Sequence, residues 1–228
     1  MVERQIGMLL FPKLTQLDMT GPYEVLARLP NTKVHLVAHS MAPVKTDRGM
    51  EIVPTVTFGD CPQLDLFMVP GGPGQQELME DEEALAFLRK QAQRAKYVTS
   101  VCTGSLVLGA AGLLKGRRAT SHWAALEHLK LLGAIPVSEK VVIDGNVITG
   151  AGVTSGIDFA LAVAALLEGE ETARQIQLQI EYDPSPPFNS GSPKTASAET
   201  VSLLRAKLAP LNEQRRIVAE RVGKKLGV

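Results

Sequence analysis

Short apolar, β-rich runs alternate with helix-length patterns along most of this sequence, and that alternation limits the fold more than any other feature. Ile6 to Phe11, Lys33 to Ala38, Leu64 to Val69 and Tyr97 to Val101 read as strands. Between and after them lie helical patterns: Gly21-Pro22 opening a helix through Leu29, Glu82 to Ala95, Thr103 to Ala111, Ser155 to Leu167 and Glu170 to Ile180. Pro22 suits the first turn of a helix, where its missing N–H is no loss. Strands that alternate with helices in this way predict an α/β fold, a flavodoxin-like, doubly wound and mostly parallel sheet sandwiched by helices. Two stretches depart from the alternation. Residues 44 to 58 read as a shorter β excursion, and Asp144-Gly145-Asn146 predicts a hairpin between Val141 to Ile143 and Val147 to Thr149.

The chain has 228 residues, enough for one sizeable α/β domain over residues 1–182. Residues 183 to 197 are rich in Pro, Ser and Gly and read as a loop. Val201, Leu204, Leu208 and Leu211 then mark a C-terminal helix that Pro210 is expected to kink or divide. Residues 183–228 pack either on their own domain or on a partner subunit; the pattern favours neither.

A formal net charge of +0 gives no electrostatic case for nucleic acid, an anionic membrane surface or a polyanionic partner. No apolar run approaches the length of a bilayer span and no leader pattern opens the chain, so a cytoplasmic location is expected. Cys61 and Cys102 are too few for a disulfide framework. The four histidines show no paired ligand spacing with them, so no metal is expected.

The chemistry concentrates at Cys102. A β-branched run ends there, and Thr103, Gly104 and Ser105 begin a helix at once, keeping bulk away as a nucleophile elbow requires. A thiol at a helix N-terminus faces unpaired N–H groups and the positive end of the dipole, which favour the thiolate. The Pro70-Gly71-Gly72 turn also follows a buried strand, so it should face the same crevice. A backbone N–H of Gly71 or Gly72 is expected to pair with that of Thr103 as an anion hole. Asp18 lies between the first strand and the next helix. It serves either as an N-cap or, if half buried between Leu17 and Met19, as a general acid with a raised pKa. His122-Trp123 is expected to support the pocket structurally. Cys61 lacks any such context and is read as incidental.

Four segments, Leu17 to Pro22, Pro70 to Gly72, Val101 to Ser105 and Thr120 to Trp123, together resemble the ThiJ/PfpI superfamily, which has a class I glutamine-amidotransferase-like fold. The resemblance runs from about residue 4 to 180 and is strongest to two branches: isocyanide hydratases and the sensor domains of AraC-type regulators. Gln177 to Tyr182 and Phe188 to Pro193 look hydratase-like. A regulator would need a helix-turn-helix module, for which the roughly thirty residues after the loop offer no strongly basic face. The resemblance implies a Cys102 nucleophile, an Asp18 acid/base, and hydration of a small-molecule isocyanide to a formamide through a covalent thioimidate. It further implies anion or substrate binding by Gly72, Thr103, Ala151 and Val153, support from His122 and Trp123, no cofactor, and a homodimer. Many superfamily members carry Glu where Asp18 stands. A glyoxalase or deglycase and a non-catalytic sensing module are the alternatives.

Overall fold

Seven strands form the main sheet of the computed structural model, which describes residues 3–228. The chain runs β1 (Arg4–Leu9), α1 (Gln16–Leu26), β2 (Thr32–Ala38), β3 (Val44–Lys45), β4 (Glu51–Ile52), β5 (Val56–Thr57), β6 (Leu66–Val69), α2 (Gln75–Leu78) and α3 (Glu82–Ala92). It continues through β7 (Tyr97–Val101), α4 (Gly104–Ala110), β8 (Arg118–Ala119), a 3-10 segment (Leu126–Leu132), β9 (Ile135–Pro136), β10 (Val141–Asp144), β11 (Val147–Gly150), α5 (Ser155–Glu168), α6 (Glu170–Gln179) and α7 (Ala198–Leu226).

The strand order is β10-β11-β7-β6-β1-β2-β5, parallel throughout except for the β10–β11 hairpin at one edge. Such a sheet is covered on both faces, and its central strands are accordingly apolar without alternation: Leu66, Phe67, Met68 and Val69 of β6 are all buried. In the hairpin Gly145 takes φ 62° at the first central position, as a type II′ turn demands. The 44–58 excursion resolves into a separate hairpin, β3 with β4, and an edge strand, β5, on the main sheet. Helix α3 is capped by Asp81, whose side chain accepts from Ala84 N, and buries Ala84, Leu85, Phe87 and Leu88.

Two expectations are corrected. Helix α1 begins at Gln16, with Thr15 at its N-cap, so Gly21 and Pro22 lie inside it rather than opening it. A proline there forgoes a bond to the Asp18 carbonyl. What the pair provides is proximity: a Cβ on Gly156 of α5 would lie 3.0 Å from Pro22 Cδ, and one on Gly21 would lie 3.3 Å from Ile157. Helix α7 likewise runs unbroken through Pro210, so the proline does not divide it. Its buried residues are Arg215, Val218, Ala219, Val222 and Gly223, beyond the apolar positions that marked it in sequence; Leu204 is exposed and Val201, Leu208 and Leu211 only half-buried. Its second half packs on α4 and on the 3-10 segment.

Chain connections leave β1 and β6 toward opposite edges of the sheet, which makes the junction of these neighbours the switch point where ligands bind in open α/β folds. The segments that follow β1, β6 and β7 at their carboxyl ends carry Asp18, Gly71 and Cys102.

Candidate active site

Cys102 occupies the left-handed region at φ 56°. For a side chain other than glycine this is strained, and it persists only where surrounding bonds over-determine it. Both peptide groups of the elbow are held. Cys102 N donates to the carbonyls of Gly150 at 3.0 Å and Ala151 at 2.8 Å. The Cys102 carbonyl accepts from the hydroxyls of Ser121 at 3.0 Å and Ser105 at 3.2 Å. Gly104 is required next, because a Cβ there would fall 2.0 Å from the Val69 carbonyl oxygen.

Asp18 comes from the first turn of α1 and is fully buried. Thr15-x-x-Asp18 has capping-box spacing, yet both side chains turn elsewhere. The Thr15 hydroxyl reaches Asp47 Oδ2 at 3.2 Å, and Asp18 Oδ2 accepts from Gly71 N at 2.9 Å. Gly71 is the point of convergence: a Cβ there would lie 2.5 Å from Thr103 N, 2.7 Å from Asp18 Oδ2 and 2.8 Å from Cys102 Cβ. Carboxyl and thiol therefore meet across a glycine that leaves no room for a side chain. Asp18 Oδ1, buried and without a partner, is the open acceptor of the site.

Burial pushes the Asp18 carboxyl up to about 7, against the pull of hydrogen bonds from the Cys102 thiol and Gly71 N–H; the charge of Asp47 adds to the rise. Burial and the adjacent Asp18 push the Cys102 thiol well above its usual value, although Thr103 N–H and the charge of Arg215 work the other way. The helix-terminus argument for a favoured thiolate is thus outweighed by desolvation. Two buried acids in contact do not both ionise, so near neutrality the pair holds at most one negative charge and one mobile proton.

The anion hole expected from two backbone donors is also revised. Gly72, at φ 129° and pressed against Thr15 N, Lys13 O and Leu14, donates its N–H to Thr103 Oγ1 at 3.1 Å. Gly71 N–H is engaged by Asp18, which leaves Thr103 N–H as the donor on the sulfur. Gly72 thus holds the Thr103 side chain.

Ala151, Gly152, Val153, His122 and Trp123 are all half-exposed, and of these Ala151 touches the elbow directly, its carbonyl accepting from Cys102 N. A Cβ on Gly152 would lie 3.2 Å from the His122 ring. His122 Nδ1 accepts from Ala124 N at 3.3 Å, which places its proton on Nε2. Burial and Arg215 lower its pKa to about 4, so the ring is neutral at physiological pH. It stacks at a tilt on Trp123, with centroids 5.7 Å apart. Among the described residues no group of three or more His, Cys, Asp or Glu is arranged to hold a metal ion, and no helix is long and apolar enough to cross a membrane.

Three contributors went unrecognised in the sequence. Ser121, beside the histidine that drew attention, holds the elbow. Asp47 holds the α1 N-cap and acts on Asp18 through charge. Arg215 arrives from a helix read only for its apolar positions and Pro210. The capping-box spacing at Thr15 was the one available signal for the true start of α1.

Comparison with known proteins shows the family. The sequence is 57% identical over 224 residues, 98% of each chain, to an isonitrile hydratase of Pseudomonas putida. It is 31% identical to protein DJ-1alpha of Drosophila melanogaster over 74% of this chain and 79% of that one. A crystal structure of a ThiJ/PfpI family protein from Pseudomonas syringae superposes with a TM-score of 0.94 at 47% identity, covering 96% of this chain and 91% of that chain. The DJ-1/PfpI family itself matches residues 4–166. With that match spanning the sheet, the elbow and the Asp18 helix, the chain belongs to the DJ-1/PfpI family.

Proposed function

We propose that the protein hydrates organic isocyanides (isonitriles), converting R–N≡C and water to R–NH–CHO without a cofactor. The observation that carries the substrate assignment is the full-length likeness to an isonitrile hydratase. Cys102 and Asp18 are the catalytic residues. The Cys102 thiol passes its proton to Asp18 as the sulfur adds to the terminal carbon, and the Asp18 carboxyl gives that proton to the carbon, leaving the thioimidate R–N=CH–S–Cys102 and an ionised Asp18. Asp18 then takes a proton from water as the hydroxyl adds to the same carbon, and passes it to nitrogen. The carbon–sulfur bond breaks as the C=O forms, the hydroxyl proton returns to Asp18, and the thiolate leaves.

This reading is supported by the raised pKa of Asp18, which keeps a carboxyl protonated near neutrality, and by its unpartnered Oδ1, an acceptor for the attacking water. Thr103 N–H steadies the sulfur, Gly72 holds Thr103 in place, Ala151 and Val153 line the approach, and His122 with Trp123 forms its neutral wall. We place the enzyme in the cytoplasm as a homodimer. The exposed Leu178, Phe188 and Leu203 support a partner surface on the C-terminal side, and sedimentation measures the oligomer directly.

The test is turnover. The purified protein converts an alkyl isocyanide to its formamide, and Cys102→Ala lowers kcat by at least about a thousandfold, the scale lost when a covalent nucleophile is removed. Wild-type turnover by Cys102→Ala would retire the covalent route. Formation of lactate from methylglyoxal, with no formamide from any isocyanide, would favour a glyoxalase instead.

A further inference from the structure

We infer that Arg215, carried into the domain by α7, is the cation that holds the Cys102 thiolate, so that the C-terminal helix completes the active site. The inference rests on Cys102 being the nucleophile of the proposed function. Arg215 acts through the cysteine and is a positioning residue.

Arg215 is 5% exposed, on a face of α7 otherwise made of Val218, Ala219, Val222 and Gly223. Helix α7 packs against α2, α4 and the 3-10 segment. Helix α2 follows the Gly71-Gly72 turn, and α4 is headed by Cys102 and Thr103. The helix is seated closely: Gln76 Nε2 donates to the Leu211 carbonyl at 3.5 Å, and a Cβ on Gly223 would fall 2.0 Å from the Leu131 carbonyl oxygen.

The guanidinium is left without a counter-ion. Its Nη1 donates to Asn212 Oδ1 at 3.0 Å, its Nε has no partner, and among the described residues no carboxylate forms an ion pair with it. Arg216, the next residue, by contrast binds both Glu213 and Glu220. A buried charge without a partner is strongly disfavoured, and an apolar residue of similar volume would serve packing better. A position that keeps the charge therefore needs an anion nearby.

The groups around it narrow the choice. Burial, and after it the positive charge of Arg215, lowers the pKa of both His122 and His128. Arg216 and Glu213, at the solvent side of α7, act on His128 with opposite signs. Asp18 faces Cys102 from α1, and Asp47 faces Asp18. Cys102 is the one titratable group that favours the charged form of Arg215, and Arg215 in turn favours the thiolate. When Cys102 gives its proton to Asp18, the thiolate formed is the anion that this guanidinium lacks.

The test follows the pH dependence of Cys102 alkylation by iodoacetamide in the full-length protein, in a Cys61→Ser background. Arg215→Met and Arg215→Gln should raise the apparent Cys102 pKa by about one unit, slowing alkylation roughly tenfold near neutrality. Arg215→Lys should recover most of the rate. An unchanged profile in a Met or Gln variant with a wild-type circular dichroism spectrum overturns the inference. Should neither variant fold, Asn212→Ala loosens the guanidinium from the solvent side. It should shift the profile in the same direction by less, and no shift there overturns the inference equally. The probe contains no isocyanide, so the two readings fail separately. A shifted profile in a protein inert toward isocyanides leaves Arg215 in place and removes the hydratase; an unshifted profile in an active hydratase does the reverse.

Discussion

Gly71 does more for the chemistry than its lack of a side chain suggests. Cys102 Cβ, the Asp18 carboxyl and the Thr103 nitrogen all lie within 2.8 Å of where its Cβ would stand. Gly71→Ala must displace at least one of them by a sizeable fraction of an ångström. Misplacement on that scale costs on the order of a hundredfold in rate, so kcat is expected to fall by about that much while the far-ultraviolet circular dichroism is retained. Asp18 yields a prediction about stability. Its pKa in the fold is about 7 against an ordinary 3.8, so between these values the folded protein binds a proton that the unfolded chain has released. Stability is then full below about pH 4 and declines as pH rises toward 7, by up to ~1.4 kcal/mol per pH unit. Asp18→Asn does not titrate and still offers Gly71 an acceptor. It should melt at a higher temperature than wild type at pH 8, with the advantage shrinking toward pH 4, while turnover collapses. A wild-type melting profile at both pH values would mean that the carboxyl is not desolvated as described.

At the scale of elements, the site depends on how closely α1 meets α5. Gly21, Pro22 and Gly156 form that contact one turn beyond Asp18. Gly156→Val adds bulk where Pro22 already stands. Overpacking of this kind costs about 1–3 kcal/mol, read as a lowered thermal midpoint, and it should lower kcat by moving Asp18. The same contact explains what the sequence did and did not reveal. Leu66–Val69 was legible because a buried parallel strand is a continuous apolar run ended by a Gly turn, and Tyr97–Val101 because a β-branched run stops at a Cys turn. The Cys102 elbow was legible because small residues crowd one side of a β-branched run. The start of α1 was misplaced because Gly-Pro is a strong local stop-and-start signal. Only the approach of α5, more than a hundred residues away, makes it a helix interior. The revised donors at Gly71 and Gly72 and the raised thiol pKa depend on burial and on long-range partners, which local pattern does not encode. Arg215 was hidden for the same reason, since a charged residue in a C-terminal helix reads as solvated until its neighbours are known.

Across the whole molecule, the family match ends at residue 166 while the likeness to the isonitrile hydratase continues over 98% of the chain. The added length is the end of α5, α6, the loop after it and α7, and α7 carries the Arg215 proposed to act on the elbow. The first half of α7 stands away from the domain, with Leu203 69% exposed, as the proposed homodimer would use it. The sheet thus provides a cysteine and a carboxyl at its switch point, and the C-terminal segment beyond the family match packs α7 against α4. The account stands or falls on the covalent step. Intact-mass measurement on rapidly quenched mixtures of the protein with an alkyl isocyanide tests it most directly. The account predicts a species heavier by one isocyanide, mapped to Cys102, that appears before the formamide and decays as it accumulates. Formamide accumulating at the full steady rate while Cys102 stays unmodified at every time point would contradict it.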